Sequence, residues 1–308
     1  MLFDAYSQRE LARWKNVIQT GRSQSSHRDA LARRRMQPAT GGDRMRENRI
    51  RTMWAADQAV VNGWLSIPSA FAAETMAHQG WDSLTVDLQH GALDYADALA
   101  LLTAISTTNT VPVVRVPWNE PGILMKVLDA GAYGVICPMV NNRADAERLV
   151  AATRYPPLGA RSFGPIRGLL YGGADYPERA NDTVVVLAMI ETLQGLDNLD
   201  EILSVDGLDG VYIGPSDLSL ALGCRPTFDD VDPPVVQAIA HVIARTKAHG
   251  RVAGIHNGAP EAALRRIQQG FRFVTVSSDA RLMAAGARQV ISQMRAGPVP
   301  PPETASGY

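Results

Sequence analysis

Thr183-Val-Val-Val-Leu-Ala-Met-Ile-Glu-Thr192 is β-branched and apolar at nearly every position, and it stops on a carboxylate. A strand with one wet face alternates polar and apolar residues. A run that stays apolar is covered on both faces, as strands of parallel sheets are. Working outward in both directions, the same kind of run recurs at Val60–Ile67, Leu84–Val86, Val111–Val116, Gly134–Cys137, Gly210–Ile213, Arg251–Ile255 and Phe271–Val276. Amphipathic stretches lie between them. Tyr95–Ser106 follows Asp94, and Asn142–Arg154 begins at a capping asparagine. Pro233–His249 ends at Gly250, and Glu261–Gln269 ends before Gly270, each with a helix-stop signal. Strands alternating with helices predict parallel pairing and an α/β fold. Eight such units predict a closed (β/α)8 TIM barrel over residues 52–297. A doubly wound open sheet would need a glycine-rich phosphate turn after the first strand. Ser66-Ile-Pro-Ser69 is not one.

The chain has 308 residues and is 46% hydrophobic, enough to bury a large core. Its net charge of −1 hides an asymmetry. Residues 1–51 hold 12 basic against 5 acidic side chains, and the remainder 18 against 26. An acidic main body argues against nucleic acid as a partner. No apolar run is long enough to span a membrane. With two cysteines only, Cys137 and Cys224, a disulfide framework is not expected and a reducing cytoplasm fits best. Residues 1–51 read as a basic, disordered extension, or as the product of an upstream start with Met36 or Met45 as the true one. An Arg-rich targeting segment is a further reading, which Asp4, Glu10 and Asp29 weaken. Residues 298–308 read as a Pro-rich tail.

A closed barrel carries its chemistry at the carboxyl ends of its strands. There the sequence places Asp87-Leu-Gln-His90 after the second strand, Arg115 at the third, Glu191 at the fifth, Gly214-Pro-Ser-Asp217 after the sixth, and His256 and Asn257 after the seventh; the first strand carries Trp64. Any one of these ends could simply be reaching solvent. Converging on one rim, they make a reaction centre. Glu191 and Asp217 sit at adjacent strand ends, and two carboxylates with open positions favour a hard cation such as Mg²⁺ or Mn²⁺, with Co²⁺ as a further candidate. The plainer alternative is a helix N-cap for Asp217 and a surface ion pair for Glu191. Gly214-Pro-Ser216 opens a short helix, where backbone N–H groups can hold a substrate carboxylate. His90 is the candidate general base, with Asp87 placed to orient it and Arg115 to stabilise negative oxygen. His256 is the second choice. The three lysines, Lys15, Lys126 and Lys247, all lie away from strand ends. A Schiff-base mechanism has no lysine to use, so a metal must stabilise the carbanion.

These residues resemble the HpcH/HpaI family of metal-dependent 2-oxo acid aldolases, over residues of about 60 to 295. The resemblance rests on Val86-Asp-Leu-Gln-His-Gly91, Val113-Val-Arg-Val-Pro-Trp-Asn119, Leu128-Asp-Ala-Gly131, Arg154-Tyr-Pro-Pro157, Met189-Ile-Glu-Thr192 and Tyr212-Ile-Gly-Pro-Ser-Asp-Leu-Ser219. It implies a barrel of the phosphoenolpyruvate/pyruvate-binding type. It also implies His90 as base, Arg115 as enolate stabiliser, Glu191 and Asp217 as metal ligands, and Ser216 with Gly214 as holders of the pyruvate carboxylate. Asp129 would reach the site from a neighbouring subunit of a homohexamer with exchanged terminal helices, and Trp64 would line the pocket. Two positions depart from the pattern. Met189 stands where the family often has a glutamine that holds the pyruvate unit, and Gln89 stands where it often has glutamate.

The expected activity is reversible cleavage of a 4-hydroxy-2-oxo acid to pyruvate, or a pyruvate analogue, and an aldehyde. The rival readings are an oxaloacetate decarboxylase, an acyl-CoA lyase of the citrate or malyl type, and a barrel that binds a 2-oxo acid without turnover. The long segment Arg154–Asn181 is expected to be a loop over the site, with Arg161 or Arg167 meeting a second carboxylate on the aldehyde.

Overall fold

The computed structural model describes residues 45–229 and 231–296. The expected basic extension before Met45 and the Pro-rich tail lie outside the described residues. The chain enters through helix α1 (Arg49–Ala55), capped by Asn48, so the expected boundary at residues 51/52 falls inside a helix. The elements that follow are β1 (Val60–Leu65), α2 (Ala70–Ala77), β2 (Ser83–Asp87), α3 (Tyr95–Ile105), β3 (Val111–Arg115), α4 (Pro121–Asp129), β4 (Gly134–Cys137) and α5 (Arg143–Thr153). Next come α6 (Ile166–Gly172), α7 (Tyr176–Thr183), β5 (Val185–Ile190), α8 (Leu193–Asp197), α9 (Leu199–Leu203), β6 (Gly210–Ile213) and α10 (Pro215–Ala221). The chain closes with α11 (Pro233–Ala248), β7 (Val252–Asn257), α12 (Pro260–Gln269), β8 (Phe273–Val276) and α13 (Asp279–Arg295).

The eight strands pair in chain order as a closed parallel barrel. Closure is made by β1 against β8, with Val60 opposite Phe273 and Asn62 opposite Thr275. Successive side chains on a strand point to opposite faces, which divides the apolar residues into two cores. Val185, Leu187 and Met189 of β5 fill the barrel with Val60, Trp64, Val113, Tyr212 and Phe273. Val186, Ala188 and Ile190 pack outward against the helices. Both sets are buried, which is why β5 shows no alternation in sequence. Continuing inward every second residue, the last positions before the rim are Trp64, Asp87, Arg115, Glu191, Gly214 and His256. The alternation therefore turns a list of strand ends into one inward-facing ring.

The segment Arg154–Asn181 is not a loop over the mouth. It contains α6 and most of α7, pinned by Tyr176, which is fully buried with Gly168 and Gly172 against it. Its glycines serve close packing there. At the amino-terminal end of the barrel, Arg154 is fixed by the carbonyls of Gly207, Asn181 and Val184 and by Asp209 at 2.9 Å. Arg51 of α1 holds the same Asp209 at 2.9 Å.

Candidate active site

A cavity of about 270 Å³ opens at the carboxyl ends of the strands, and Trp64, Asp87, His90, Arg115, Met189 and Asp217 are among the residues that line it. Gly214 and Ser216 complete that side. The structure thus brings together the predicted residues of strands one, two, three and six with Met189 of strand five; Glu191 does not line the cavity and is buried beside Gly214. Asp129 is not among the lining residues. It ends α4, and its carboxylate is held by Arg161 at 2.7 Å.

Asp87 is engaged chiefly with Arg115, and it meets His90 through the backbone rather than the ring. Its carboxylate accepts two hydrogen bonds from Arg115, Nε at 2.8 Å and Nη2 at 2.7 Å. It accepts a third from Trp64 Nε1 at 3.0 Å. The backbone N–H groups of Gln89 and His90 donate to it at 3.1 and 3.3 Å. So Asp87 fixes the Arg115 guanidinium and the turn that presents His90, and makes no hydrogen bond with the His90 ring. Burial works against its charge, and the Arg115 guanidinium together with the Trp64 and His90 N–H donors outweighs it, holding the carboxyl below its ordinary range. Trp64 also lies under the guanidinium, 4.8 Å from ring centre to carbon, a cation–π geometry. Arg115 is therefore locked in place before any substrate arrives.

Glu191 is nearly fully buried. One oxygen, Oε1, accepts the Met139 backbone N–H at 2.8 Å. Met139 reaches that position with φ of +56°, an uncommon conformation for a residue with a side chain. The other oxygen faces Gly214, where a Cβ would stand 3.0 Å from it and 2.5 Å from Met189 Cε. A side chain there would crowd the Met189 methyl and the free Glu191 oxygen. Burial pushes the Glu191 carboxyl up to about 7, the Met139 hydrogen bond opposes this, and Asp217 adds to the rise. Among the described residues no group of three or more His, Cys or acidic side chains is arranged around a common point. A buried carboxylate with a second acid beside it fits a hard dication, which would leave most of its coordination sphere to substrate and water. Asp217 lies in the first turn of α10, whose N-cap Gly214 offers no side-chain cap. The first-turn N–H groups near Ser216 are thus left without a side-chain acceptor at the N-cap.

Four wall residues were not anticipated: Ser66, Phe228, Ser278 and Arg281. A signal existed in Ser277-Ser-Asp-Ala-Arg281, the polar cluster at the eighth strand end. Asp279 there ties the first strand to the last, accepting from Ser66 and Ile67 N–H at 3.0 and 3.1 Å. His256, the second choice as base, does enter the cavity. Its Nδ1 lies 3.3 Å from the Tyr212 hydroxyl and its ring stands edge-on to Trp64 at 4.9 Å. Burial, aided by Arg115, pushes it down to about 3, so it stays neutral and is a poor base. Neither Arg161 nor Arg167 lines the cavity. Arg161 is buried against Asp129 and the Tyr176 hydroxyl, and Arg167 donates to the carbonyl of Ala130 at 2.6 Å.

Residues 62–285 match the family model described as HpcH/HpaI aldolase/citrate lyase. The chain belongs to this family. A hydroxypyruvate/pyruvate aldolase of Rhizorhabdus wittichii is 47% identical over 249 residues, 81% of this chain and 99% of that protein. A 5-keto-4-deoxy-D-glucarate aldolase of Escherichia coli is 37% identical over 234 residues, covering 75% and 91%. The crystal structure of an HpcH/HpaI aldolase/citrate lyase family protein from Burkholderia cenocepacia superposes with a TM-score of 0.76 at 33% identity, covering 81% of this chain and all of that one. Membership makes the chain an enzyme of the carbon–carbon lyase type, and the HpcH/HpaI match spans the whole ring of inward-facing residues.

Proposed function

We propose that the chain is a divalent-metal-dependent aldolase that reversibly cleaves a 4-hydroxy-2-oxo acid to pyruvate, or a pyruvate analogue, and an aldehyde. The observation that carries this reading is Glu191: a buried carboxylate with one oxygen unshared, beside Asp217, at the mouth of a barrel. Glu191 and Asp217 would hold Mg²⁺, Mn²⁺ or Co²⁺. The cation supplies a Lewis acid for the electrons released when the C3–C4 bond breaks. The backbone N–H of Ser216, with Gly214 beside it, receives the carboxylate of the donor. His90, exposed on its turn at the cavity, takes the proton from the 4-hydroxyl. Arg115, held rigid by Asp87 and Trp64, faces the oxygen on which negative charge grows, so no reorganisation is needed at the moment of reaction. Met189 gives the donor an apolar wall where a glutamine would give a hydrogen bond.

The proposal extends to assembly as a homohexamer, in the cytoplasm. Helix α13 supports self-association, since Leu282, Met283, Val290, Ile291 and Met294 are all exposed on a helix in which only Asp279 is buried. A neighbour's surface would cover that stripe. In such an assembly Asp129 is the residue proposed to reach the adjoining site. Light scattering of the purified protein reads the subunit number directly.

The decisive assay is pyruvate release from a panel of 4-hydroxy-2-oxo acids with Mg²⁺, Mn²⁺ or Co²⁺, and oxaloacetate as the decarboxylase arm. Activity should vanish with EDTA and return with metal. Full turnover in EDTA would remove the metal from the reaction.

A further inference from the structure

Two cations line the cavity, and they differ in what surrounds them. Arg115 is neutralised by Asp87 through two short hydrogen bonds. Arg281, in the first turn of α13, forms no ion pair and no side-chain hydrogen bond among the described residues, yet it lines the same cavity. Its guanidinium lies over the Phe228 ring at 4.8 Å. Two acids lie nearby, and neither forms an ion pair with it. Asp229 Oδ1 accepts the Gly258 N–H at 2.9 Å, and Asp279 is held by Ser66, Ile67 and Ala280. Asp229 Oδ2 and Arg281 Nη1 both lie against Gly258, where a Cβ would stand 2.9 Å from the carboxylate oxygen and 3.4 Å from the nitrogen. His256 is the other neighbour, 4.8 Å from Phe228, and it adds surface without charge.

A guanidinium stacked on a ring keeps its planar fork free and has already lost much of its rotamer freedom, so an incoming oxyanion costs little to bind. The donor's own carboxylate has its partners near Ser216. We infer that Arg281 is the specificity residue for the second reactant: it binds an anionic group, carboxylate or phosphate ester, carried by the aldehyde, in a subsite walled by Phe228 and His256. This assignment rests on the aldolase reading of the site.

The test is aldol addition to pyruvate, with Mg²⁺ or Mn²⁺, using two matched pairs of aldehydes: succinic semialdehyde against pentanal, and glycolaldehyde phosphate against glycolaldehyde. The anionic member of at least one pair should be preferred by about tenfold or more in kcat/KM. A preference in the first pair alone identifies a carboxylate, and in the second alone a phosphate. R281M should bring the ratio close to one through the KM for the aldehyde, with R281K keeping part of the preference. Equal use of both members of both pairs by the unaltered protein, or a preference that survives R281M, overturns the role of Arg281. Exchange of the pyruvate C3 protons for deuterium, with no aldehyde present, separates the two levels. Exchange without an anion preference removes Arg281 only. Absence of both exchange and addition removes the aldolase reading, and this inference with it.

Discussion

The two ends of the barrel handle buried charge in opposite ways. At the amino-terminal end, Asp209 is gripped by Arg51 and Arg154, and Arg154 spends its remaining donors on three backbone carbonyls. Asp209 also accepts the Val186 N–H at 2.8 Å. At the carboxyl end, Glu191 has one backbone donor and an acid for a neighbour; Arg281, exposed at the same rim, forms no ion pair among the described residues. A fully satisfied cluster specifies geometry and stability. An unsatisfied one is free energy held in reserve for a ligand. Both ends contain carboxylates and arginines, so residue type alone does not distinguish them; the count of partners does.

The largest expected effect comes from breaking the unsatisfied end. E191Q keeps the Met139 hydrogen bond and removes the charge that a cation needs. Its kcat/KM for pyruvate release should fall by roughly a thousandfold or more, on the order of 4 kcal/mol. Its resistance to urea at pH 8 without metal should rise, since an uncompensated buried charge has gone. Steady-state kinetics and urea titration of the same preparation check both. Loss of activity together with loss of stability would mean that Glu191 belongs with the structural charges.

The converse is R154M. Removing one partner of a buried pair costs about 3–5 kcal/mol, and here the low end is expected because Arg51 still neutralises Asp209. Activity per folded molecule should be unchanged, because Arg154 lies at the far end of the barrel. Urea unfolding followed by tryptophan fluorescence measures the first, and turnover normalised to folded protein measures the second.

The contrast has a pH signature in the metal-free protein. Glu191 titrates near 7 when folded, against an ordinary value of 4.5. The unfolded chain therefore gives up this proton first. The stability present below pH 4.5 is lost as pH rises toward 7 and levels off above it, by up to about 3 kcal/mol. The difference between unaltered and E191Q protein in EDTA, followed from pH 4.5 to 8, isolates this contribution. A flat difference would place the Glu191 carboxyl in its ordinary range.

Much of this was legible before any coordinates. The apolar runs predict the barrel because parallel strands are covered on both faces, and the polar residue ending each run predicts the rim. The alternation that sorts inward from outward positions was not legible, because both faces of β5 are apolar. Asp87 looked like a partner for His90 at a spacing of three residues. Its actual partner, Arg115, is on the next strand, opposite it in register, and sequence distance hides that pairing. At the eighth strand end Arg281 is hard to place from sequence, because it lies a helical turn beyond the strand. In sequence Arg154-Tyr-Pro-Pro157 carries only the family resemblance. Its arginine proves to be a tie across the barrel floor, and three of its four partners are carbonyls, which carry no sequence signal.

The smallest effect tests how much of the mouth's order is shared. Trp64 gives Asp87 one of its hydrogen bonds and gives Arg115 a ring to lie on. W64F keeps a ring and loses the N–H. Asp87 still has both Arg115 donors and the two turn N–H groups, so it should hold its position. The loss should be that of a single hydrogen bond in a network with spare donors, about 1 kcal/mol, or several-fold in kcat with the pyruvate KM little changed. A loss as large as that of E191Q would mean that Arg115 depends on Trp64 for its placement. The mouth would then be a single cooperative unit, and its tolerance for unsatisfied charge would rest on one indole rather than on the Asp87–Arg115 pair.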